Sequence, residues 1–173
     1  MIREDAIEYP KFLSKNSELL KNECKTIMIH SSLREEVTIF NKIFNSPPVE
    51  ITTINKNQWD LYNPSPKKVD LIFMANVMIC IAEPAKAFSN IFSACKFVII
   101  KDSIIRHRGL NPDVELHTDG DSMRYSYGTH KAKYEKAFNL DVYQDRAIDF
   151  KPYVDNGHKT TNLAFLILMR GDL

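Results

Sequence analysis

The stretch VDLIFMANVMICIAEPAKAFSNIFSACKFVIIKD, residues 69–102, decides the fold of this chain. It opens with VDLIFMANV (69–77), a nearly continuous apolar run of the kind that is buried on both faces of a parallel sheet. EPAKAFSNIFSAC (83–95) follows with Pro84 near its first turn and predicts a helix. KFVIIKD (96–102) predicts a second buried strand. The stretch therefore predicts a strand–helix–strand unit with a right-handed crossover.

The same alternation begins further upstream. TIMIH (26–30) is short, apolar and β-branched, and predicts a buried strand. SSLREEVTIFNKIF (31–44) predicts a helix with a capping box formed by Ser32 and Glu35. Its apolar residues Val37, Phe40 and Phe44 fall on one helical face. VEITTI (49–54) then predicts a second strand after a Pro-Pro break.

The rest of the chain extends this pattern. Residues 55–68 form a polar connection whose prolines exclude a long helix. An irregular segment (103–124) is followed by a helical stretch near 128–138. DVYQDRAIDF (141–150) and TNLAFLILMR (161–170) predict an antiparallel hairpin at the sheet edge, joined by a loop with Asn156-Gly157. The predicted fold class is a three-layer α/β sandwich with a mostly parallel sheet and a C-terminal antiparallel hairpin.

Length and net charge limit the number of domains and the kinds of partner that this chain can have. A chain of 173 residues suits a single domain, 1–173, in which 1–24 form an N-terminal helical segment. The formal net charge of +1 gives no bulk electrostatic basis for binding DNA, RNA or an anionic membrane. We therefore expect no membrane and no nucleic acid as partners. Homo-oligomerisation stays open.

Cysteine usage and apolar runs predict a cytoplasmic protein. Cys24, Cys80 and Cys95 show no CxxC spacing, which predicts reduced, buried thiols. The N-terminal MIREDAIEYP is too charged for the apolar part of a secretory signal. The longest nearly uncharged run, LIFMANVMICIA, is too short to span a membrane.

Residues at the ends of the predicted strands are the candidates for a ligand site. In open parallel sheets, ligands bind beyond the carboxyl ends of the strands. Taken strand by strand, these candidates are His30, Ser31 and Ser32, then Asn55 and Lys56, then Asn76 and Met78, and finally Lys101, Asp102 and Arg106.

The stretch 69–102 resembles class I S-adenosylmethionine-dependent methyltransferases. The resemblance lies in a strand that opens on Asp70 and ends on polar Asn76, a proline at the start of the helix, and a second strand that ends in Lys101-Asp102. The segments SSLREEV, WDLYNP and DGDSMRYSY resemble small phage and bacterial methyltransferase-like proteins. The resemblance implies a Rossmann-like fold, S-adenosylmethionine as cofactor, and methyl transfer to a small-molecule or sugar acceptor.

This chain departs from the family at the cofactor loop. Members usually carry a glycine-rich loop after the first strand, whereas the first glycine here is Gly109. The acidic residue expected on the ribose is Asn55 or Lys56, and one strand–helix unit is missing. Trp59 with Asp60 could hold the adenine, or be a packing residue and a turn residue. The predicted cofactor-binding residues are His30, Ser31, Ser32, Asn55, Trp59, Asp60, Asn76 and Met78.

The predicted catalytic residues follow the last parallel strand. Asp102, His107 or Asp121 could serve as the base, and Arg124 could pair with a carboxylate or phosphate. The stretch HTDGDSMRYSYG (117–128) predicts either a lid over the sheet edge or a solvated turn. The spacing of its acidic and histidine residues fits no familiar metal site, so none is predicted. A catalytically silent binding or assembly module and another nucleotide-binding α/β enzyme remain as alternatives.

Overall fold

The structure is a computed structural model of the chain. It describes residues 5–31, 34–44, 49–55, 57–75, 77, 84–104, 116–119, 122–125, 146–155 and 162–173.

The described residues form three helices and eight strands. In chain order these are α1 (Asp5–Glu23), β1 (Thr26–Ser31), α2 (Arg34–Ile43), β2 (Glu50–Ile54), β3 (Val69–Ala75), α3 (Pro84–Phe92), β4 (Cys95–Ile104), β5 (Leu116–Asp119), β6 (Ser122–Tyr125), β7 (Ala147–Asp155) and β8 (Asn162–Arg170).

Six strands form one sheet in the order β2-β1-β3-β4-β8-β7, and β5 pairs with β6 in a separate ribbon. Strands β2, β1, β3 and β4 run parallel to one another. Strand β8 runs antiparallel to both β4 and β7. The sheet is thus mostly parallel with a C-terminal antiparallel pair, which confirms the predicted fold class. Strand β7 forms the outer edge, and β8 lies inside the sheet.

Helices cover both faces of the sheet. Every residue from Leu71 to Ala75 in β3 is buried, as predicted for a strand packed on both sides. Odd-numbered residues of this run face α1 and α2, and even-numbered residues face α3. The first set belongs to the α1/α2 cluster, which contains Tyr9, Ile29, Phe40, Phe73 and Phe97. The second belongs to the α3 cluster, which contains Met28, Trp59, Ile72, Phe88 and Ile100.

Helix α1 is continuous over 19 residues although Pro10 lies inside it. An interior proline removes a main-chain hydrogen bond and costs about 3 kcal/mol. Tyr9, Phe12, Leu13 and Leu20 are buried in the α1/α2 cluster. Burial of each of these four side chains stabilises the folded state by about 2 kcal/mol, so together they outweigh the cost of the proline. The N-terminal helical segment is therefore one continuous helix over Asp5–Glu23.

Helix α2 buries the face that its sequence predicts. Phe40 and Phe44 are fully buried, and Val37 packs beside them in the α1/α2 cluster. The Phe40 ring stacks on Phe44 at 4.5 Å and on Phe73 at 5.0 Å between ring centres. These contacts fix α2 against the middle of the sheet.

Asp70 joins three strands at the amino edge of the sheet. Its Oδ2 accepts hydrogen bonds from the main-chain nitrogens of Lys25 (2.8 Å) and Thr26 (3.1 Å), and its Oδ1 lies 3.3 Å from Nζ of Lys96. The main-chain nitrogen of Asp70 donates to Oγ1 of Thr26 at 3.0 Å. Burial alone opposes ionisation, but these hydrogen bonds and the lysine outweigh it and lower the pKa of Asp70. The carboxylate therefore fixes the starts of β1, β3 and β4 together.

Residues 171–173 cross the same amino edge. The nitrogen of Gly171 donates to the carbonyl oxygen of Lys96 (2.6 Å), and that of Leu173 donates to the carbonyl oxygen of Cys95 (3.2 Å). A Cβ at position 171 would overlap the main-chain carbonyl of Cys95. Only glycine therefore fits at this crossing.

The structure corrects the prediction for the region after β4. Residues 116–119 and 122–125, predicted to be irregular, form the β5–β6 ribbon, with Leu116 opposite Tyr125 and Asp119 opposite Ser122. Strand β7 spans Ala147–Asp155 rather than 141–150, because its pairing with β8 begins at Ala147. The helix predicted near 128–138 and the loop with Asn156-Gly157 lie outside the described residues.

Two of the predicted buried thiols are confirmed. Cys24 and Cys95 are buried and free, and burial raises the pKa of each to about 12. Cys80 lies outside the described residues. Among the helices that the structure describes, none combines the length and hydropathy needed to cross a membrane.

Candidate cofactor and substrate site

The strand order places a topological switch point between β1 and β3. The chain passes from β1 to β2 on one side and then returns to form β3 on the other side. At such a point the connections diverge and leave a crevice beyond the carboxyl ends of the strands. His30 pairs with Met74 and Ser31 with Ala75, so β1 and β3 end side by side. Their ends therefore border the crevice in which a ligand is expected.

Buried polar side chains gather at this carboxyl edge. Four polar or charged side chains are buried in the part of the chain that the structure describes: Asn16, His30, Lys101 and Asp102. Asn16 belongs to α1, where its Nδ2 donates to Oδ2 of Asp149 at 2.9 Å. The other three lie near the carboxyl ends of β1 and β4. Polar burial within the sheet is thus confined to the edge where ligands bind in this class of fold.

Lys101 and Asp102 face opposite sides of the sheet because side chains alternate along a strand. The Nζ of Lys101 lies 5.8 Å from the ring centre of Tyr9, in the α1/α2 cluster. Asp102 shares the other face with Ile100 and, two strands away, with His30. Strand geometry puts Asp102 about 10 Å across the sheet and about 7 Å further along it from His30. One face of the edge therefore carries a buried imidazole and a buried carboxylate at a ligand-sized separation.

His30 is the buried polar residue at the switch point itself. Its side chain is 5% exposed, and its ring meets Trp59 edge-on, with 6.1 Å between ring centres and 69° between planes. Burial lowers the pKa of His30, and hydrogen bonds to the main chain of Trp59 and of His30 itself oppose that shift only in part. The imidazole is therefore neutral at pH 7. Its Nε2 is buried without a hydrogen-bond partner among the residues that the structure describes.

A tight turn after β2 holds Trp59 beside His30. The Asn55 carbonyl oxygen accepts from the nitrogens of Gln58 and Trp59, both at 3.0 Å. The Asn55 Oδ1 accepts from the nitrogens of Asn57 (2.9 Å) and Gln58 (3.2 Å), and Gln58 Oε1 accepts from the Asn55 nitrogen (2.9 Å). The polar side chain predicted to meet the cofactor at Asn55 thus holds this turn.

Trp59 and Asp60 make structural contacts in this connection. The indole ring is 2% exposed in the α3 cluster, and its Nε1 donates to the carbonyl oxygen of Asn63 at 3.0 Å. Asp60 is exposed, and its Oδ1 accepts from the nitrogen of Tyr62 at 3.0 Å. These contacts agree with the alternative interpretation, in which Trp59 is a packing residue and Asp60 a turn residue. Their part in holding an adenine stays a prediction.

For two of the remaining predicted site residues the structure describes the backbone position, and the others lie outside the described residues. Ser31 ends β1, and α2 begins at Arg34, so only two residues connect them. Arg124 lies in β6, opposite position 117. The other predicted residues, Ser32, Asn76, Met78, His107 and Asp121, lie outside the described residues.

Tyr9 belongs to this edge but was not predicted from the sequence. It is fully buried, stacks on Phe73 at 5.5 Å and lies below the Lys101 ammonium. In the sequence it is one apolar position of a helix far from β4, so nothing in the local pattern connects it with Lys101. Across the described side chains, no group of three histidine, cysteine or acidic residues comes close enough together to hold a metal ion.

Comparisons with known proteins identify the class of fold. The CMeT domain of the citrinin polyketide synthase superposes with a TM-score of 0.52 at 13% identity, over 92% of this chain and 51% of that one. An S-adenosylmethionine-dependent methyltransferase from Clostridium acetobutylicum superposes with a TM-score of 0.47 at 13% identity, over 95% and 92% of the two chains. The N-terminal domain of EvdMO1, crystallised in the presence of S-adenosylhomocysteine and D-fucose, gives 0.47 at 9% identity, over 94% and 83%.

The chain therefore has the fold of class I S-adenosylmethionine-dependent methyltransferases, as the resemblance of residues 69–102 implies. No protein-family model matches the chain, and no curated protein matches it in sequence. Identities this low concern the fold alone.

Proposed function

We propose that this protein binds S-adenosylmethionine and transfers its methyl group to a small-molecule or sugar acceptor. The observation that carries the proposal is the burial of His30, Lys101 and Asp102 at the carboxyl edge of a methyltransferase fold. Burying the Nε2 acceptor of His30 without a partner among the described residues is costly unless a ligand supplies the donor. Buried ionisable groups beside a ligand crevice, here His30 and Asp102 on one face of the edge, are typical of functional sites.

The described residues fit a ligand of this kind. The Nε2 of His30 is a buried acceptor at the switch point, where the hydroxyl and amino groups of the cofactor supply donors. The proposal assigns cofactor binding to His30, Ser31, Ser32, Asn55, Trp59, Asp60, Asn76 and Met78. When bound, S-adenosylmethionine supplies a methyl group on a positively charged sulfur, which leaves as the neutral thioether.

Asp102 is the proposed general base. Its carboxylate lies on the same face as His30 and further out along β4, on the side from which an acceptor would approach. It would accept the proton that an acceptor hydroxyl or amine loses as its oxygen or nitrogen bonds to the methyl carbon. Asp121 and His107 are proposed as alternatives for this role. Arg124 is proposed to bind an anionic group of the acceptor.

The free, buried state of Cys24 and Cys95 supports a reducing, cytoplasmic setting. In this proposal residues 1–173 form one catalytic domain, which requires no metal and contacts neither membrane nor nucleic acid.

One observation favours a second candidate. Only two residues connect β1 to α2, and neither is a glycine, so the sequence lacks the glycine-rich loop that usually follows the first strand. A binding module with this fold, or an α/β enzyme that uses another nucleotide, would not need that loop.

Calorimetric titration with S-adenosylmethionine and S-adenosylhomocysteine tests the proposal. We expect dissociation constants on the order of micromolar, and then methyl transfer in a screen of sugars and other small acceptors. Binding of both ligands without turnover on any acceptor would favour the binding module. Absence of heat and of any thermal shift at millimolar ligand would overturn cofactor binding, and nucleotides would be titrated next.

A further inference from the structure

We propose that His30 recognises the bound cofactor by accepting a hydrogen bond from it. In this arrangement Nε2 accepts from the ligand while Nδ1 donates to the main chain of Trp59. The inference rests on the proposed function, because it requires that the cofactor enter the crevice beyond β1.

The protonation of the ring follows from its surroundings. A buried, neutral imidazole carries one N–H and one lone pair. The hydrogen bond that the ring makes to the main chain of Trp59 raises the pKa of His30, as expected where a carbonyl oxygen accepts from the ring. Nε2 has no partner, so the donating nitrogen is Nδ1. Nε2 is therefore left as an acceptor.

An acceptor buried in this way needs a donor. Leaving it unsatisfied costs about 1–3 kcal/mol, and the great majority of buried polar atoms in native proteins are paired. The main-chain groups that hydrogen-bond to the His30 ring do so through its other nitrogen, Nδ1. Since the orphan atom lies where ligands bind in this fold, the ligand is the natural source of its donor.

The turn after β2 is what makes this arrangement rigid. The hydrogen bonds between Asn55 and Gln58 fix the main chain that leads into Trp59. The indole is held in turn by Asn63, so it cannot rotate without breaking its own hydrogen bond. Asn55 and Trp59 are thus positioning residues that act through His30.

Trp59 also provides a reporter for the site. It is the one tryptophan of the 173-residue sequence, and its ring touches His30. Because Nε2 is covered, a ligand can reach it only if a neighbouring group moves. Binding should therefore change the fluorescence of Trp59.

Two isosteric substitutions distinguish recognition of the ligand by His30 from a purely structural role of its ring. In His30→Gln the terminal amide occupies the place of Nε2 and can still accept from the ligand. In His30→Asn the shorter amide occupies the place of Nδ1, so it keeps the contact with Trp59 and loses the acceptor. S-adenosylhomocysteine and adenosine are the probes, with calorimetry and Trp59 fluorescence for binding and thermal melting for folding.

We expect His30→Asn to weaken S-adenosylhomocysteine binding about 10-fold, the effect of one lost hydrogen bond, and His30→Gln to stay close to wild type. The same loss with adenosine would assign the donor to the nucleoside, whereas loss with S-adenosylhomocysteine alone would assign it to the amino group of the homocysteine part.

Three outcomes would overturn the inference. Wild-type affinity in both variants would remove His30 from the site while the proposed function stands. Weak binding by His30→Gln with normal binding by His30→Asn would make the Trp59 contact the only role of the ring. Lack of S-adenosylhomocysteine binding by the wild-type protein would end the proposed function and this inference together.

Discussion

The polar groups at the two edges of the central sheet differ in whether they have hydrogen-bond partners. At the amino edge, Asp70 accepts from two main-chain nitrogens and pairs with Lys96, and Gly171 is hydrogen-bonded into the start of β4. At the carboxyl edge, His30 keeps a buried acceptor that no described residue satisfies. Both edges belong to the same strands, so the strands' own propensity does not explain the difference.

The difference indicates a division of roles. Paired polar groups at the amino edge lower the free energy of the folded state and fix the register of β1, β3 and β4. An unsatisfied acceptor does the reverse, and a fold retains it where the energy is recovered on binding. We therefore expect substitutions at the amino edge to change stability and those at the carboxyl edge to change ligand binding or turnover.

The largest effect is expected at the carboxyl edge from Asp102→Asn. Removing the proposed base should lower the rate of methyl transfer by about 100-fold or more, as for other general bases. Acceptor turnover and thermal melting would be measured on the same preparation.

Asp149→Asn is the matched control, since Asp149 is also largely buried but binds Asn16 and Lys15 away from the crevice. Its turnover should be normal. Equal loss of turnover in both variants, or none in Asp102→Asn, would remove Asp102 from the chemistry.

At the amino edge the largest effect is expected from Gly171→Ala. The added Cβ would meet the main chain of Cys95, which cannot move without displacing β4. We expect a loss of about 3 kcal/mol in the free energy of unfolding, measured by urea denaturation.

Leu173→Ala is the control for this prediction, because Leu173 is half exposed and its main-chain hydrogen bond survives. Ligand affinity of folded Gly171→Ala should equal that of wild type. A changed affinity would mean that the two edges are coupled.

A smaller effect with a defined pH dependence is expected from Asp70→Asn. The amide cannot replace the charged hydrogen bonds, so the variant should lose about 2 kcal/mol at pH 7. The pKa of Asp70 is lowered in the folded state. Its contribution is therefore complete above the unfolded pKa of about 3.9 and disappears as the pH falls through the folded value.

Unfolding of wild type and variant would be compared between pH 7 and pH 3. The difference should stay constant down to about pH 5 and shrink below about pH 4. Glu50→Gln, which removes an exposed pair with Lys67, should cost only a few tenths of a kcal/mol. A pH-independent difference for Asp70→Asn would mean that its charge does not matter.

The buried strands could be predicted because each is a continuous apolar run. TIMIH, VDLIFMANV and KFVIIKD became β1, β3 and β4 with small changes at their ends. The β5–β6 ribbon was missed because its strands are short and charged, and its only signal is the Gly120-Asp121 pair between them. Helix α1 passes through Pro10 because packing on the sheet outweighs the local cost.

The site could be predicted only as a set of positions. Strand ends point to His30 and Asp102, since parallel strands in one sheet share a carboxyl edge. Local sequence cannot show that Lys101 faces Tyr9, that Asn55 ties the turn beneath Trp59, or that Nε2 of His30 lacks a partner. Each of these facts involves residues that are distant in the chain.

The sequence by itself determined the alternation of buried strands and helices, and with it the class of fold, because apolar periodicity is a local property of the chain. It also determined which polar residues stand at strand ends. Only the tertiary structure decided which of them are buried, which face they share and which are already satisfied. Burial and hydrogen bonding depend on neighbours brought together by β-sheet register and helix packing, and one residue of register reverses every side chain of a strand.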